Sequence, residues 1–179
     1  MTLLIIALAP VALILTYIYF RDKYQKEPLG QLARGFAAGV LIVIPCLIME
    51  HLLSAWFSPA GIYSSAAWNA FVVAAFTEEL WKYIALVFLF WSNRYFDERF
   101  DGIVYAVFVS LGFAAIENIL YVYNHGHLTG LFRAFSAVPA HALFGIVMGL
   151  YLGLAKFHPG KKGYYLWAAF VFPWLFHGI

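Results

Sequence analysis

Six long apolar runs, separated by short polar connections, constrain this chain more than any other feature. They are read as Thr2–Phe20, Leu32–Phe57, Ala66–Trp91, Gly102–Tyr123, Phe132–Ala155 and Tyr164–Ile179. Crossing a bilayer takes roughly 20 predominantly apolar residues per helix. Backbone polar groups in lipid must be satisfied internally, which leaves helices or closed barrels. The runs are too long and too continuous for the ten-residue alternation of barrel strands. Of 179 residues, 64% are hydrophobic and only 11% charged, so the chain lacks the charged surface that would keep a domain of this size in solution. The expected fold is all-α: a polytopic transmembrane helical bundle of about six spans, built from residues 1–179 as one domain. The lipid bilayer is its medium, and nothing in the sequence points to a nucleic-acid partner.

The first run begins without a basic leader and ends at Arg21-Asp22-Lys23, which predicts a retained span rather than a cleaved signal peptide. The last run has only about 16 residues, short of a comfortable crossing, so the natural protein is expected to continue past Ile179. Lysine and arginine placement sets the expected orientation. Arg21, Lys23, Lys26 and Arg34 follow span one, Arg94 and Arg99 follow span three, and Lys156, Lys161 and Lys162 follow span five. The connections after spans two and four hold only Arg133. The first, third and fifth connections are therefore predicted to be cytoplasmic, with the N-terminus outside. The single cysteine, Cys46, rules out an internal disulfide framework and reads as a small buried hydrophobe.

A few polar residues remain inside the spans: Glu50 and His51 on span two, Glu78, Glu79 and Lys82 on span three, Glu117 and Asn118 on span four, His141 on span five and His177 on span six. A charge at the bilayer centre costs about 2.5–3.5 kcal/mol on insertion scales, so these groups are expected to face one another across the bundle interior. Counting residues at 1.5 Å rise puts Glu78 about 18 Å, Glu117 about 9 Å and His141 about 14 Å below the outer boundary. His177 falls in the same layer. Glu78 and Lys82 share a helix face at i and i+4, and Glu79 points to a different neighbour. An internal ion pair that fixes packing is the competing reading of that trio, as a helix–helix hydrogen bond is of Glu117-Asn118.

Phe113 shares a face with Glu117. His141, Gly145, Gly149 and Gly153 form one stripe, and small residues so spaced let a neighbouring backbone approach. Pro139 and Pro173 precede the two histidines, and each is expected to open a local kink by removing a helix hydrogen bond. Glu50 and His51 lie near the outer end of span two and are read as reaching the interface. His125, His127 and His158 fall in connections and are given no catalytic role.

These segments resemble, in order, the motifs of the PrsW family. Glu78-Glu79-Leu80-Trp81-Lys82 is similar to its E-E-x-x-K motif and Phe113-Ala114-Ala115-Ile116-Glu117-Asn118 to its F-x-x-x-E-N motif. His141 to Gly145 resembles its H-x-x-x-G pattern, and His177-Gly178 its final histidine. Two flanking stretches also match, Arg21 to Leu29 and Asp101-Gly102-Ile103-Val104-Tyr105. The chain departs from the family pattern at its end, where His177-Gly178-Ile179 stops before the Tyr/Phe-Asp that commonly follows the last histidine. The resemblance implies a bacterial or archaeal cytoplasmic membrane, kinship with the CAAX prenyl proteases, and cleavage of transmembrane protein substrates, in some members an anti-sigma factor.

Peptide hydrolysis needs a base for water, donors for the oxyanion and an acid for the leaving amine. The expected catalytic set is Glu78, Glu79, Glu117, Asn118, His141 and His177, supported by Lys82, Phe113 and Gly145. Glu78 is the expected base, with His141 or His177 holding the water and Asn118 donating to the oxyanion. Glu79 and Lys82 would orient the site, and Glu117 would share a proton with Glu78 or polarise a histidine. No cofactor is expected. The alternatives are a zinc metalloprotease using Glu117, His141 and His177, with Glu78 as an optional further ligand, a proton-coupled carrier using the same acids as a relay, and a non-catalytic scaffold.

Overall fold

The computed structural model describes residues 2–23 and 25–179, so Tyr24 of the first flanking stretch lies outside the described residues. The runs fold as helices α1 (Thr2–Arg21), α2 (Leu29–Trp56), α3 (Ile62–Ala67), α4 (Thr77–Phe90), α5 (Arg99–His125), α6 (His127–Phe135), α7 (Ala137–Phe157) and α8 (Lys162–Gly178). A π-helical stretch, Trp68–Phe76, joins α3 to α4 so that the third span is one continuous rod. Four helical segments are long and apolar enough to cross a membrane: α1, α2, α5 and α6 together with α7. The third rod reaches that length only by joining three segments, and α8 has 17 residues. The bundle is all-α, as expected. The largest differences in boundary are in the fifth run, which breaks at Ser136 into α6 and α7, and the third, which begins earlier, at Ile62.

Helix α5 is the axis of the bundle and is buried along most of its length. Its start is fixed by a capping box, in which the Asp101 carboxylate accepts from the backbone N–H of Asp97 at 2.9 Å and of Glu98 at 2.6 Å. Helix α7 lies against it along the predicted glycine stripe. A Cβ at Gly149 would fall 2.2 Å from the Gly102 carbonyl oxygen, so the two backbones touch where lipid gives helices no hydrophobic reason to associate. Helix α2 crosses α5 as closely, since a Cβ at Gly39 would fall 2.0 Å from the Val109 oxygen. Ser110 Oγ donates to the His141 carbonyl at 2.6 Å and locks α7 in register.

The three basic connections meet at one end of the bundle. Asn93 donates to Gln31 at 2.8 Å, and Lys156 Nζ donates to the Trp91 carbonyl at 3.0 Å. There the two flanking stretches join: Tyr105 donates to Glu27, whose own backbone N–H donates to Asp22 Oδ2 at 3.0 Å. Burial pushes the Glu27 carboxyl up to about 7. Pro173 sits inside α8, where it has no N–H to give the helix. Pro139 occupies the first turn of α7, where backbone N–H groups have no helical partner to lose, so it removes no helix hydrogen bond there.

Candidate active site

Four helices deliver the predicted groups to one place. Glu78 and Glu79 come from the first turn of α4, Glu117 from α5, His141 from the second turn of α7 and His177 from the end of α8. One ligand-capable atom from each of Glu78, Glu79, His141 and His177 lies within 4.8 Å of the others. Glu78, Glu79, Lys82 and His141 are buried, and His177 is half-buried.

Lys82 is the hub. Its Nζ donates to Glu79 Oε1 at 2.8 Å and Glu78 Oε2 at 3.1 Å, and lies 3.1 Å from His141 Nδ1. An ammonium has three donors, and here each has a partner. The Phe113 ring lies 4.5 Å below the same nitrogen, so Phe113 supports the cation through its π face. The expectation of a Glu78–Lys82 pair holds, with Glu79 joining it.

Each histidine is held by its own glutamate. His141 Nε2 lies 2.7 Å from Glu117 Oε2, and His177 Nδ1 lies 3.0 Å from Glu79 Oε1. A carboxylate accepts only, so both of those ring nitrogens carry the proton. In the neutral tautomer His177 Nε2 is then a free acceptor, 4.0 Å from Glu78 Oε2. His141 and His177 meet edge to face at 5.4 Å, and Phe144 stacks on His177 at 4.9 Å. Behind α8, Trp174 donates to the Phe71 carbonyl of the π-helical stretch at 2.7 Å, which seats the helix end that carries His177. A π-helical turn beside a site is a recurrent device for re-aiming side chains.

Glu117 Oε2 accepts from the His141 ring. The other partner of Glu117 is Arg133 on α6, at 2.9 Å. Arg133 also donates from Nε to Asn118 Oδ1 at 2.8 Å and lies 4.0 Å over the Tyr121 ring. Asn118 in turn donates to the Ala7 carbonyl of α1 at 2.7 Å and is fully buried. Its amide is thus engaged on both sides, holding Arg133 and α1 rather than facing the two histidines. Gly145 is placed as predicted: a Cβ there would come 3.1 Å from the Ala106 oxygen.

Two residues escaped the sequence reading. Arg133 is the lone basic residue of its connection, and that isolation was the available signal. Glu50 does not reach for the interface. It lines a groove of about 460 Å³ beside Glu78 and Glu117; its Oε1 accepts from the Cys46 thiol at 3.4 Å and lies 3.4 Å from Thr77 Oγ1, whose one proton is drawn to the nearer Val73 and Ala74 carbonyls. Cys46 itself is fully buried and unpaired, as expected.

The zinc set of Glu117, His141 and His177 is not the group that gathers. Glu117 sits on the far edge of the His141 ring, and the compact set is Glu78, Glu79, His141 and His177. Two imidazoles and two carboxylates are zinc-type donors, and Glu79 Oε2 is buried without a hydrogen-bond partner. The Lys82 ammonium, however, already binds three of the four donor residues, so a dication there would lie against a buried like charge. With Lys82 in place, an ion at this cluster would have to displace the ammonium.

A helical membrane bundle that buries two glutamate–histidine pairs and a third carboxylate beside a groove has the form of an intramembrane hydrolase. The profile described as "PrsW family intramembrane metalloprotease" matches residues 27–179. Protease PrsW of Geobacillus kaustophilus is 44% identical over 171 residues, covering 96% of this chain and 74% of that protein. Protease PrsW of Bacillus subtilis is 37% identical, covering 96% of this chain and 77% of its own length. That of Clostridioides difficile is 34% identical over 99% of this chain and 76% of its own. No solved structure matches the chain. The protein is an intramembrane protease, and it belongs to the PrsW family.

Proposed function

We propose that this protease hydrolyses its membrane-protein substrates with a water activated by Glu78 and His177, without a resident metal. The observation that carries the reading is the 4.0 Å gap between Glu78 Oε2 and the unprotonated Nε2 of His177, with both groups held from behind. One water fits both acceptors at ordinary hydrogen-bond length. Glu78 takes the water proton as the oxygen attacks the scissile carbonyl. Glu79 holds His177 in the tautomer that leaves Nε2 facing that water. Lys82 lowers the cost of keeping Glu78 and Glu79 ionised side by side and supplies positive charge near the developing oxyanion. Glu78, having taken the water proton, is the candidate donor to the leaving amine, while His141, held between the Glu117 carboxylate and the Lys82 ammonium, keeps that ammonium in place.

Lys82 also argues against the metal reading, because its ammonium takes the donors a zinc ion would need. For orientation, nine of the eleven lysines and arginines lie in or beside the connections gathered at one end. That end is proposed to be cytoplasmic, with the N-terminus outside and cleavage nearer the extracytoplasmic side. The test of the catalytic assignment is Glu78→Gln in purified protein. Cleavage of a single-span substrate should be lost while the unfolding temperature holds, and persistent cleavage would remove Glu78 from the role of base.

A further inference from the structure

We propose that the groove between α2 and α5 seats the substrate segment entering the cutting site, and that Glu50 selects a lysine or arginine side chain in it. The inference rests on the protease reading above and adds a chemical feature of the substrate.

The groove is continuous with the site. Val43, Leu47 and Glu50 face it from α2, spaced as one helix stripe, and Phe113, Glu117 and Tyr121 face it from α5. It runs on to Asn124, eleven residues past Phe113, or about 16 Å along the helix. An extended chain rises about 3.3 Å per residue, so about five substrate residues fit along it.

Charge decides the occupant. Four carboxylates surround the site, and three are paired: Glu78 and Glu79 with Lys82, and Glu117 with Arg133. Glu50 has only the Cys46 thiol to accept from, with the Thr77 hydroxyl beside the same Oε1. Among the described residues no lysine, arginine or histidine pairs with it, and its Oε2 accepts no hydrogen bond. A carboxylate on a membrane-spanning helix is costly unless a partner meets it, and the open side of Glu50 is the groove. A substrate lysine or arginine supplies that partner through a charge-assisted hydrogen bond, with its aliphatic stem along Val43 and Leu47. An anionic headgroup is disfavoured by the same charges.

The experiment uses synthetic single-span leucine–alanine peptides carrying one photoreactive residue next to lysine, norleucine or glutamate, in phosphatidylcholine vesicles. With Glu78→Gln as the uncleaving background, the lysine peptide should crosslink to α2 and α5 about tenfold or more above the norleucine peptide. Adding Glu50→Gln should bring that ratio near one, and Glu50→Lys should invert it toward the glutamate peptide. Equal labelling by all three peptides would overturn the proposal and leave the groove an apolar seat for lipid. A lysine preference that survives Glu50→Gln would overturn the assignment to Glu50. The same peptides are offered to the chain with Glu78 intact. Selective crosslinking without cleavage would count against the hydrolysis reading alone, whereas cleavage indifferent to Glu50→Gln would count against the selection alone.

Discussion

Replacing Lys82 with methionine should do more damage than removing either glutamate it holds. The ammonium makes three polar contacts between 2.8 and 3.1 Å and is almost completely shielded from solvent. Its loss leaves two adjacent buried carboxylates without a cation, and breaking a buried pair by removing one partner costs about 3–5 kcal/mol. At about 2–4 °C per kcal/mol for a chain of this size, the unfolding temperature in mild detergent should fall by about 6–20 °C. The chain carries its own probe, since Cys46 is the one cysteine and fully buried, so a thiol-reactive dye reports unfolding directly. Combining Lys82→Met with Glu79→Gln should recover part of the stability, because a charge and its counter-charge leave together. Cleavage should stay low in both variants, as Glu78 has lost its ammonium. A Lys82→Met protein as stable as wild type would refute the idea that this cation organises the site.

Arg133→Ala should lower kcat about tenfold with KM nearly unchanged, because Arg133 positions Glu117 and through it His141; Arg133→Lys should restore part of the loss. Gly149→Ala should lower the unfolding temperature by several degrees, since the added methyl meets the Gly102 carbonyl, while Gly30→Ala, with open space around it, should not. Glu27 has its carboxyl raised from about 4.5 to about 7, so the folded protein binds that proton more tightly than the unfolded chain does. Its contribution is fully present below pH 4.5 and is lost as pH rises through 7; unfolding temperatures measured across that window should decline in wild type and flatten in Glu27→Gln.

The spans and the layer of the site were legible because both follow from distance along a helix. Apolar run length gave six rods, and 1.5 Å per residue put Glu78, Glu117, His141 and His177 in one layer, between the midplane and the outer boundary. The π-helical stretch was not legible, since its residues are as apolar as any α-helical span. The break at Ser136 hid for the same reason, and with it the separate helix that aims Arg133 inward. Lateral direction was the missing quantity. Asn118 is at the right depth yet turns toward α1, and Glu50, read as interfacial, turns toward the groove. Whether a donor set is open or already filled by a lysine depends on how four helices pack, and no spacing within one helix carries that.

The most direct test of the central claim is cleavage by purified protein, after exhaustive treatment with a strong chelator, alongside a metal assay of the same sample. The structure predicts that cleavage persists with no stoichiometric metal, because Lys82 supplies the positive charge among the Glu78, Glu79 and His141 donors. Cleavage that stops on chelation and returns with zinc would contradict that account and require Lys82 to give up its place to the ion.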